Sequence, residues 1–190
     1  MVQIRFGATA DVPAIARVRH ESWRAAYAGI VPAETIERVT GRYDDEQEKA
    51  WFAARPWRLT LVAEQDPPAK IVGYASFGPE RFLDRVPRTP PGAPDSGPDR
   101  CAELYALYVT PGWWSTGTGR ALMHRVLHET RCEGYPRITV WVLERNARAR
   151  RFYERAGFRL RDRSHVLHEL GGVTEISYEQ DLIPAVTTPP

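Results

Sequence analysis

The alternation of strand and helix patterns in the second half of the chain constrains the fold most strongly. In order, the patterns are a strand over Cys101 to Val109, a helix over Gly117 to Cys132, a strand over Arg137 to Leu143, a helix over Asn146 to Ala156, a strand from Phe158 and a strand over Val173 to Asp181. Such alternation is typical of a sheet with parallel neighbours and helices on its faces. The second half therefore predicts an α/β fold.

The first half of the chain supplies elements that would extend this sheet. Its patterns predict an opening strand over Val2 to Ala8, a helix that ends near Tyr27, helical pieces over Ala33 to Val39 and Asp44 to Ala54, and a hairpin of strands Leu59 to Glu64 and Lys70 to Phe77. Thr9 and Asp11 are candidate caps of the first helix, and Pro13 suits its first turn. Gly29 and Pro32 are expected to end it.

Length and composition predict one globular domain over residues 1–183. The chain has 190 residues, 43% of them hydrophobic and 26% charged, which suffices for one substantial core. Residues 84–100 are rich in proline and predict a surface loop, and residues 184–190 predict a flexible tail. Cys101 and Cys132 lack metal-site spacing and are expected to be reduced packing residues.

Charge and hydropathy limit the partners that this chain is expected to have. The formal net charge is only +2, and the arginines are interleaved with acids, so we expect no nucleic-acid partner. No apolar run approaches the roughly 18 residues of a membrane span, and Met1 to Ala8 has the pattern of a strand rather than a signal peptide. We therefore expect a cytoplasmic protein with no membrane partner.

The segment from Glu103 to Arg120 carries the clearest functional signal. An apolar strand leads into a proline turn and then into a loop with Gly117 and Gly119 that opens a helix. Free amides at a helix start attract anions, and glycines let a diphosphate approach the main chain. The alternative is a simple helix cap. Arg120 and Leu122 exclude the Walker and dinucleotide-binding patterns, so a different phosphate-bearing cofactor is expected.

Two blocks in this half resemble the GNAT acetyltransferase superfamily. The first is Val109-Thr110-Pro111 followed by Gly117-Thr118-Gly119, which is similar to the family's Gln/Arg-x-x-Gly-x-Gly/Ala loop after a strand that ends Val-x-Pro. The second is the helix from Asn146 to Phe158, with Ala149, Phe152, Tyr153 and Gly157 at the family's positions. One departure is Trp114, which stands where the family has glutamine or arginine. The resemblance covers roughly Cys101 to Phe158.

This resemblance implies a fold and a co-substrate. The implied fold is a mixed, mostly antiparallel sheet of about seven strands with a splayed parallel pair, flanked by about four helices. The implied co-substrate is acetyl-CoA. The residues that the resemblance assigns to it are Leu107, Tyr108, Val109, Trp114, Ser115, Thr116, Gly117, Thr118, Gly119, Arg120, Asn146, Ala149 and Phe152.

Acetyl transfer to an amine needs a base, a polarised carbonyl and a proton for the departing thiolate. The resemblance implies Glu103 as the base and Tyr153 as the acid. Trp23, Tyr27 and Tyr105 are expected in the acceptor pocket. No metal site is predicted, because His124 and His128 fall opposite the apolar face of their helix.

The sequence does not identify the acceptor. A small-molecule primary amine is favoured, and the alternatives are a protein or peptide amine and a non-catalytic acetyl-CoA sensor. An acidic groove would indicate a cationic small acceptor, and an open channel through the sheet would indicate a peptide. The resemblance also suggests a homodimer.

Overall fold

The computed structural model describes residues 1–41, 44–55, 57–81 and 100–182. The predicted loop over residues 84–100, apart from Arg100, and the predicted tail over residues 184–190 lie outside the described residues. No helix in the described part of the chain is long and apolar enough to cross a membrane.

The described elements follow the predicted order closely. They are β1 Val2–Phe6, α1 Val12–Ala26, α2 Ala33–Thr40, α3 Asp45–Ala53, β2 Leu59–Gln65, β3 Lys70–Pro79, β4 Ala102–Val109, α4 Thr118–Cys132, β5 Arg137–Leu143, α5 Ala147–Arg155, β6 Arg159–Leu167 and β7 Val173–Asp181. These ranges contain five helices, against the expectation of about four.

Several helix ends form as their residue types predict. The side chain of Asp44 accepts a hydrogen bond from the Gln47 amide at 3.0 Å and caps α3. Gly157, just after α5, has a φ of +95°, a conformation that favours glycine. Asp11 precedes α1 but does not cap it with its side chain, because its carboxylate accepts hydrogen bonds from Arg5 instead.

The seven strands form one mixed sheet in the order β1-β2-β3-β4-β5-β7-β6. All neighbours are antiparallel except β4 and β5, which are parallel. The β4–β5 ladder pairs only Ala102 to Leu104 with Ile138 to Val140, although β4 continues to Val109 and β5 to Leu143. The predicted mixed sheet with a splayed parallel pair is therefore confirmed.

A β-bulge lies where β4 leaves β5. In the ladder between β3 and β4, Ser76 pairs with Ala106 and Phe77 pairs with Leu104, so Tyr105 is the extra residue. A bulge bends its strand and increases the local twist. The bulge falls one residue after the β4–β5 ladder ends at Leu104, so it lies where the two strands separate.

The two faces of the sheet carry different helices, as the alternation along β2 shows. Leu61 and Ala63 are buried in the larger core together with residues of α4 such as Leu122 and Val126. Val62, between them in sequence, is buried with Val18 of α1. Since successive strand residues point to opposite faces, α4 and α1 cover opposite sides of the sheet. The gap between β4 and β5 lies near the middle of this sheet, which has helices on both faces.

Candidate active site

A cavity of about 190 Å³ follows the gap between β4 and β5. Its walls come from the separated ends of the two strands, from the loop before α4 and from α5. It brings together eight residues predicted to bind the cofactor, which are Leu107, Tyr108, Val109, Trp114, Ser115, Asn146, Ala149 and Phe152. We call this space the cofactor-side cavity.

The remaining predicted cofactor residues lie at the start of α4. Gly117 precedes the helix with a φ of +93°, and no side chain caps α4 among the described residues. The first amides of the helix are therefore available to an anion. A Cβ atom added to Gly119 would come no closer than 3.5 Å to Phe152, which is ordinary contact, so packing does not require glycine here. Close approach of a ligand to the main chain would be a reason for glycine at this position.

Trp114, the departure from the family pattern, fixes the loop in place. Its indole Nε1 donates a hydrogen bond of 2.6 Å to the carbonyl oxygen of Val109, at the end of β4. The guanidinium carbon of Arg148, from α5, lies 4.1 Å from the centre of the Trp114 ring. The tryptophan thus joins the loop to β4 and holds a cation at the cofactor-side cavity.

Tyr153 lies on the wall of the cofactor-side cavity, as the α5 pattern predicts. Its side chain is buried, and its ring packs against Phe152 and Phe158. Burial is the main cause that raises the pKa of the Tyr153 phenol, with a smaller contribution from Tyr108. The phenol is therefore neutral at physiological pH and carries a proton that it can donate. Asn146 accepts a hydrogen bond from the Ala149 amide at 3.1 Å, which leaves its NH₂ group for other partners.

Glu103 lies on β4 within the paired part of the β4–β5 ladder. Its carboxylate accepts hydrogen bonds from the Arg81 amide at 2.9 Å and from Arg81 Nε at 3.1 Å, and it also forms an ion pair with Arg81 Nη2. The Glu103 side chain is only 3% exposed. The role of Glu103 as a base stays a prediction.

A second cavity, of about 880 Å³, lies on the α1 side of the gap. The predicted acceptor residues Trp23, Tyr27 and Tyr105 all line it. Trp23 Nε1 donates to the Tyr108 hydroxyl at 3.0 Å, and the hydroxyls of Tyr27 and Tyr108 lie 3.2 Å apart. We call this space the acceptor-side cavity.

Sequence reasoning missed several charged residues of the acceptor-side cavity. They include Arg19, Arg58, Arg81, His165 and Glu175, which come from α1, from the ends of β2 and β3, and from β6 and β7. His165 lies in β6, and the centre of its ring is 4.7 Å from the centre of the Trp141 ring. No local motif marks these residues, because only the sheet brings them together.

The two cavities meet at the gap. The residues that line both are Tyr27, Leu104, Tyr105, Ala106, Tyr108, Trp141, Leu143 and Glu175. Such an arrangement can hold an extended anionic ligand on one side of a split sheet and present its end to a second ligand on the other. Two cavities that meet in this way are typical of an enzyme that transfers a group between two substrates.

Comparison with known proteins identifies the family. The model of the acetyltransferase (GNAT) family matches residues 17–158. An uncharacterized N-acetyltransferase of Mycobacterium bovis is 36% identical over 132 residues, which cover 68% of this chain and 72% of the relative. The N-acetyltransferase YuaI of Bacillus subtilis, also uncharacterized, is 31% identical over 146 residues, 77% of this chain and 74% of the relative.

Solved structures show the same fold. The PaiA N-acetyltransferase of Thermoplasma acidophilum, solved in complex with coenzyme A, matches with a TM-score of 0.70 at 22% identity, over 95% of this chain and 99% of that one. YncA of Salmonella typhimurium, solved with acetyl-CoA, matches with a TM-score of 0.69 at 22% identity, over 100% of this chain and 98% of that one. The chain belongs to the GNAT acetyltransferase family and is an acetyl-CoA-dependent N-acetyltransferase.

Proposed function

We propose that this protein transfers the acetyl group of acetyl-CoA to the primary amine of a small molecule by direct attack on the thioester. The observation that carries the proposal is the meeting of the two cavities at the gap between β4 and β5. The acceptor-side cavity of about 880 Å³ lies within the range of small-molecule pockets, about 300–1,000 Å³. Its wall mixes arginines and glutamates, so its charge does not select a purely cationic acceptor.

In this proposal the loop before α4 holds the diphosphate and the gap receives the pantetheine arm. The amides of residues 115–120 bind the phosphates, and Asn146 donates its NH₂ group to the arm. Arg148, stacked on Trp114, supplies a positive charge beside the loop. It thereby takes over the role that the family's glutamine or arginine side chain would play at position 114.

Tyr153 is proposed as the acid. A neutral phenol on the wall of the cofactor-side cavity can protonate the departing thiolate. Two carboxylates, Glu103 and Glu175, line the acceptor-side cavity near the gap and are candidates for the base. Glu103 is the prediction from the sequence, and Glu175 is considered in the next subsection.

A titration followed by a reaction tests the proposal. Purified protein is titrated calorimetrically with acetyl-CoA, and thiol release is then recorded with a diamine, an amino acid, an amino sugar and a short peptide with a free N-terminus. Release with a small amine supports the proposal. Release with the peptide alone supports a protein acceptor, binding without release supports a sensor, and no binding contradicts the proposal.

A further inference from the structure

Glu175 occupies a position in the gap that no other acidic residue in the described part of the chain shares. It lies on β7, paired with Leu143 at the end of β5 on one side and with His165 of β6 on the other. Among the described residues, it is the only acid that lines the cofactor-side cavity, and it also lines the acceptor-side cavity. A carboxylate at this junction reaches the space where the amine and the thioester must meet.

The other polar groups at the junction are poor proton acceptors. Desolvation raises the pKa of Tyr27 and Tyr108 above the ordinary phenol value, so both hydroxyls stay protonated and serve as hydrogen-bond partners. Burial likewise raises the pKa of Tyr105. Glu103 lines only the acceptor-side cavity and is held by Arg81. Of the carboxylates in the described ranges, Glu175 alone lines both cavities at their junction.

The surroundings of Glu175 fit a positioned base. His165 Nε2 lies 3.4 Å from Glu175 Oε2, and the histidine ring is itself fixed against Trp141. Tyr27, just after α1, and Tyr108 of β4 lie close enough to the same carboxylate for its charge to contribute to their raised pKa values. The Glu175 side chain is 22% exposed, so an acceptor in the cavity can reach it.

We propose that Glu175, positioned by His165, binds the ammonium group of the acceptor and takes its proton before acetyl transfer. This inference rests on the proposed function, because it names the base of that reaction. The reacting amine therefore lies beside β7 at the end of β5, and the rest of the acceptor extends into the larger cavity towards Tyr105.

The proton and bond changes balance in this scheme. One proton moves from the acceptor nitrogen to a Glu175 oxygen, which leaves a neutral amine with a lone pair. A bond forms between that nitrogen and the acetyl carbon, and the bond from the acetyl carbon to sulfur breaks. The Tyr153 phenol gives its proton to the sulfur, and the second proton leaving the nitrogen restores the phenol through water. Glu175 then releases its proton to solvent, so the net reaction frees one proton.

The test compares Glu175→Gln with Glu179→Gln and Glu103→Gln, using thiol release from acetyl-CoA with an amine that the wild-type protein accepts. Glu179 is the matched control, since it lies on the same strand, pairs with Arg161 and lines neither cavity. We expect Glu175→Gln to lower kcat/KM about 100-fold near neutral pH, the usual scale of a lost general base. Its affinity for acetyl-CoA, measured by calorimetry, should stay within about threefold of wild type, because the carboxylate acts on the amine.

The pH profile separates loss of a base from a structural defect. The deficit of Glu175→Gln should shrink as the pH approaches the pKa of the amine, since more acceptor is then already neutral. Glu175→Asp, which keeps a carboxylate, should retain more activity than Glu175→Gln. Glu179→Gln should match wild type.

Three results would overturn the inference. The first is a Glu175→Gln variant that is folded and transfers acetyl at the wild-type rate, and the second is a larger loss in Glu103→Gln than in Glu175→Gln. A Glu175→Gln deficit of the same size at every pH would also count against it. If wild type releases no thiol with any amine, the proposed function fails, and this inference falls with it.

Discussion

The two sides of the gap between β4 and β5 are built in different ways. Most of the cofactor side comes from one stretch of chain, from β4 through α5, to which the end of α1 and Glu175 of β7 are added, and its proposed anion site consists of main-chain amides at the start of α4. The acceptor side is assembled from α1, α2, α3, β3, β4, β5, β6 and β7, and charged side chains from several of these elements line it. The difference indicates that cofactor binding should tolerate most single substitutions, whereas transfer should depend on a few side chains.

Replacing Tyr153 with phenylalanine should have the largest effect on transfer. Loss of the proton donor is expected to lower kcat about 100-fold, because the thiolate would leave without protonation. Acetyl-CoA binding, measured by calorimetry, should change little. Tyr135→Phe, outside both cavities, is the matched control. A Tyr153→Phe variant with the wild-type kcat would show that Tyr153 is not the acid.

Replacing Arg81 should affect stability rather than cofactor binding. Arg81→Ala leaves the Glu103 carboxylate buried without its guanidinium, and breaking such a pair costs about 3 kcal/mol of unfolding free energy. The double variant Arg81→Ala/Glu103→Gln should recover part of that loss, because no buried charge remains. Urea denaturation measures both. If the double variant were no more stable than Arg81→Ala, the loss of stability would not come from an unpaired buried carboxylate.

Replacing Arg148 tests whether one side chain contributes on the cofactor side. Arg148→Ala should weaken acetyl-CoA binding by about tenfold at low salt, and less at high salt, because exposed charge contacts are screened. Arg151→Ala, also exposed on α5, is the control and should bind as wild type does. Equal losses in the two variants would mean that α5 acts through its overall charge instead of through the stacked Arg148.

The smallest effect concerns Cys101, just before the paired start of β4. Burial raises the pKa of the Cys101 thiol to about 12, so almost no thiolate is present at pH 8. Cys132 is exposed. Alkylation of the native protein at pH 8 should therefore label Cys132 and spare Cys101, as mass spectrometry of peptides would show. Fast labelling of Cys101 would mean that the sheet opens at this end as well.

The cofactor side of the gap could be predicted from the sequence better than the acceptor side, because most of it comes from one stretch of chain. Gly117, Gly119, Asn146 and Tyr153 lie within local patterns, a loop before a helix and one capped helix, so the sequence alone could single them out as candidates. The fold could be predicted for a similar reason, because the periodicity of strands and helices is a local property of the sequence. The roles of side chains that meet only when distant strands pair could not be predicted from local patterns.

The acceptor side shows what local patterns leave out. Glu175 and His165 become a pair only through the register of β6 against β7, and Glu175 lies at the gap because it pairs with Leu143, the last residue of β5. The partner of Glu103 was equally hidden, because Arg81 lies 22 residues earlier in the chain. Trp114 appeared as a departure from a motif, and only its contacts with Val109 and Arg148 give it a role.

A crystal structure of the protein with coenzyme A would show whether the gap between β4 and β5 is the cofactor site. We expect the diphosphate on the amides of residues 115–120, the pantetheine arm between β4 and β5, and the sulfur beside the Tyr153 hydroxyl on the side that faces Glu175. Coenzyme A bound elsewhere, or a β4–β5 ladder closed beyond Leu104 with no room for the arm, would contradict this expectation.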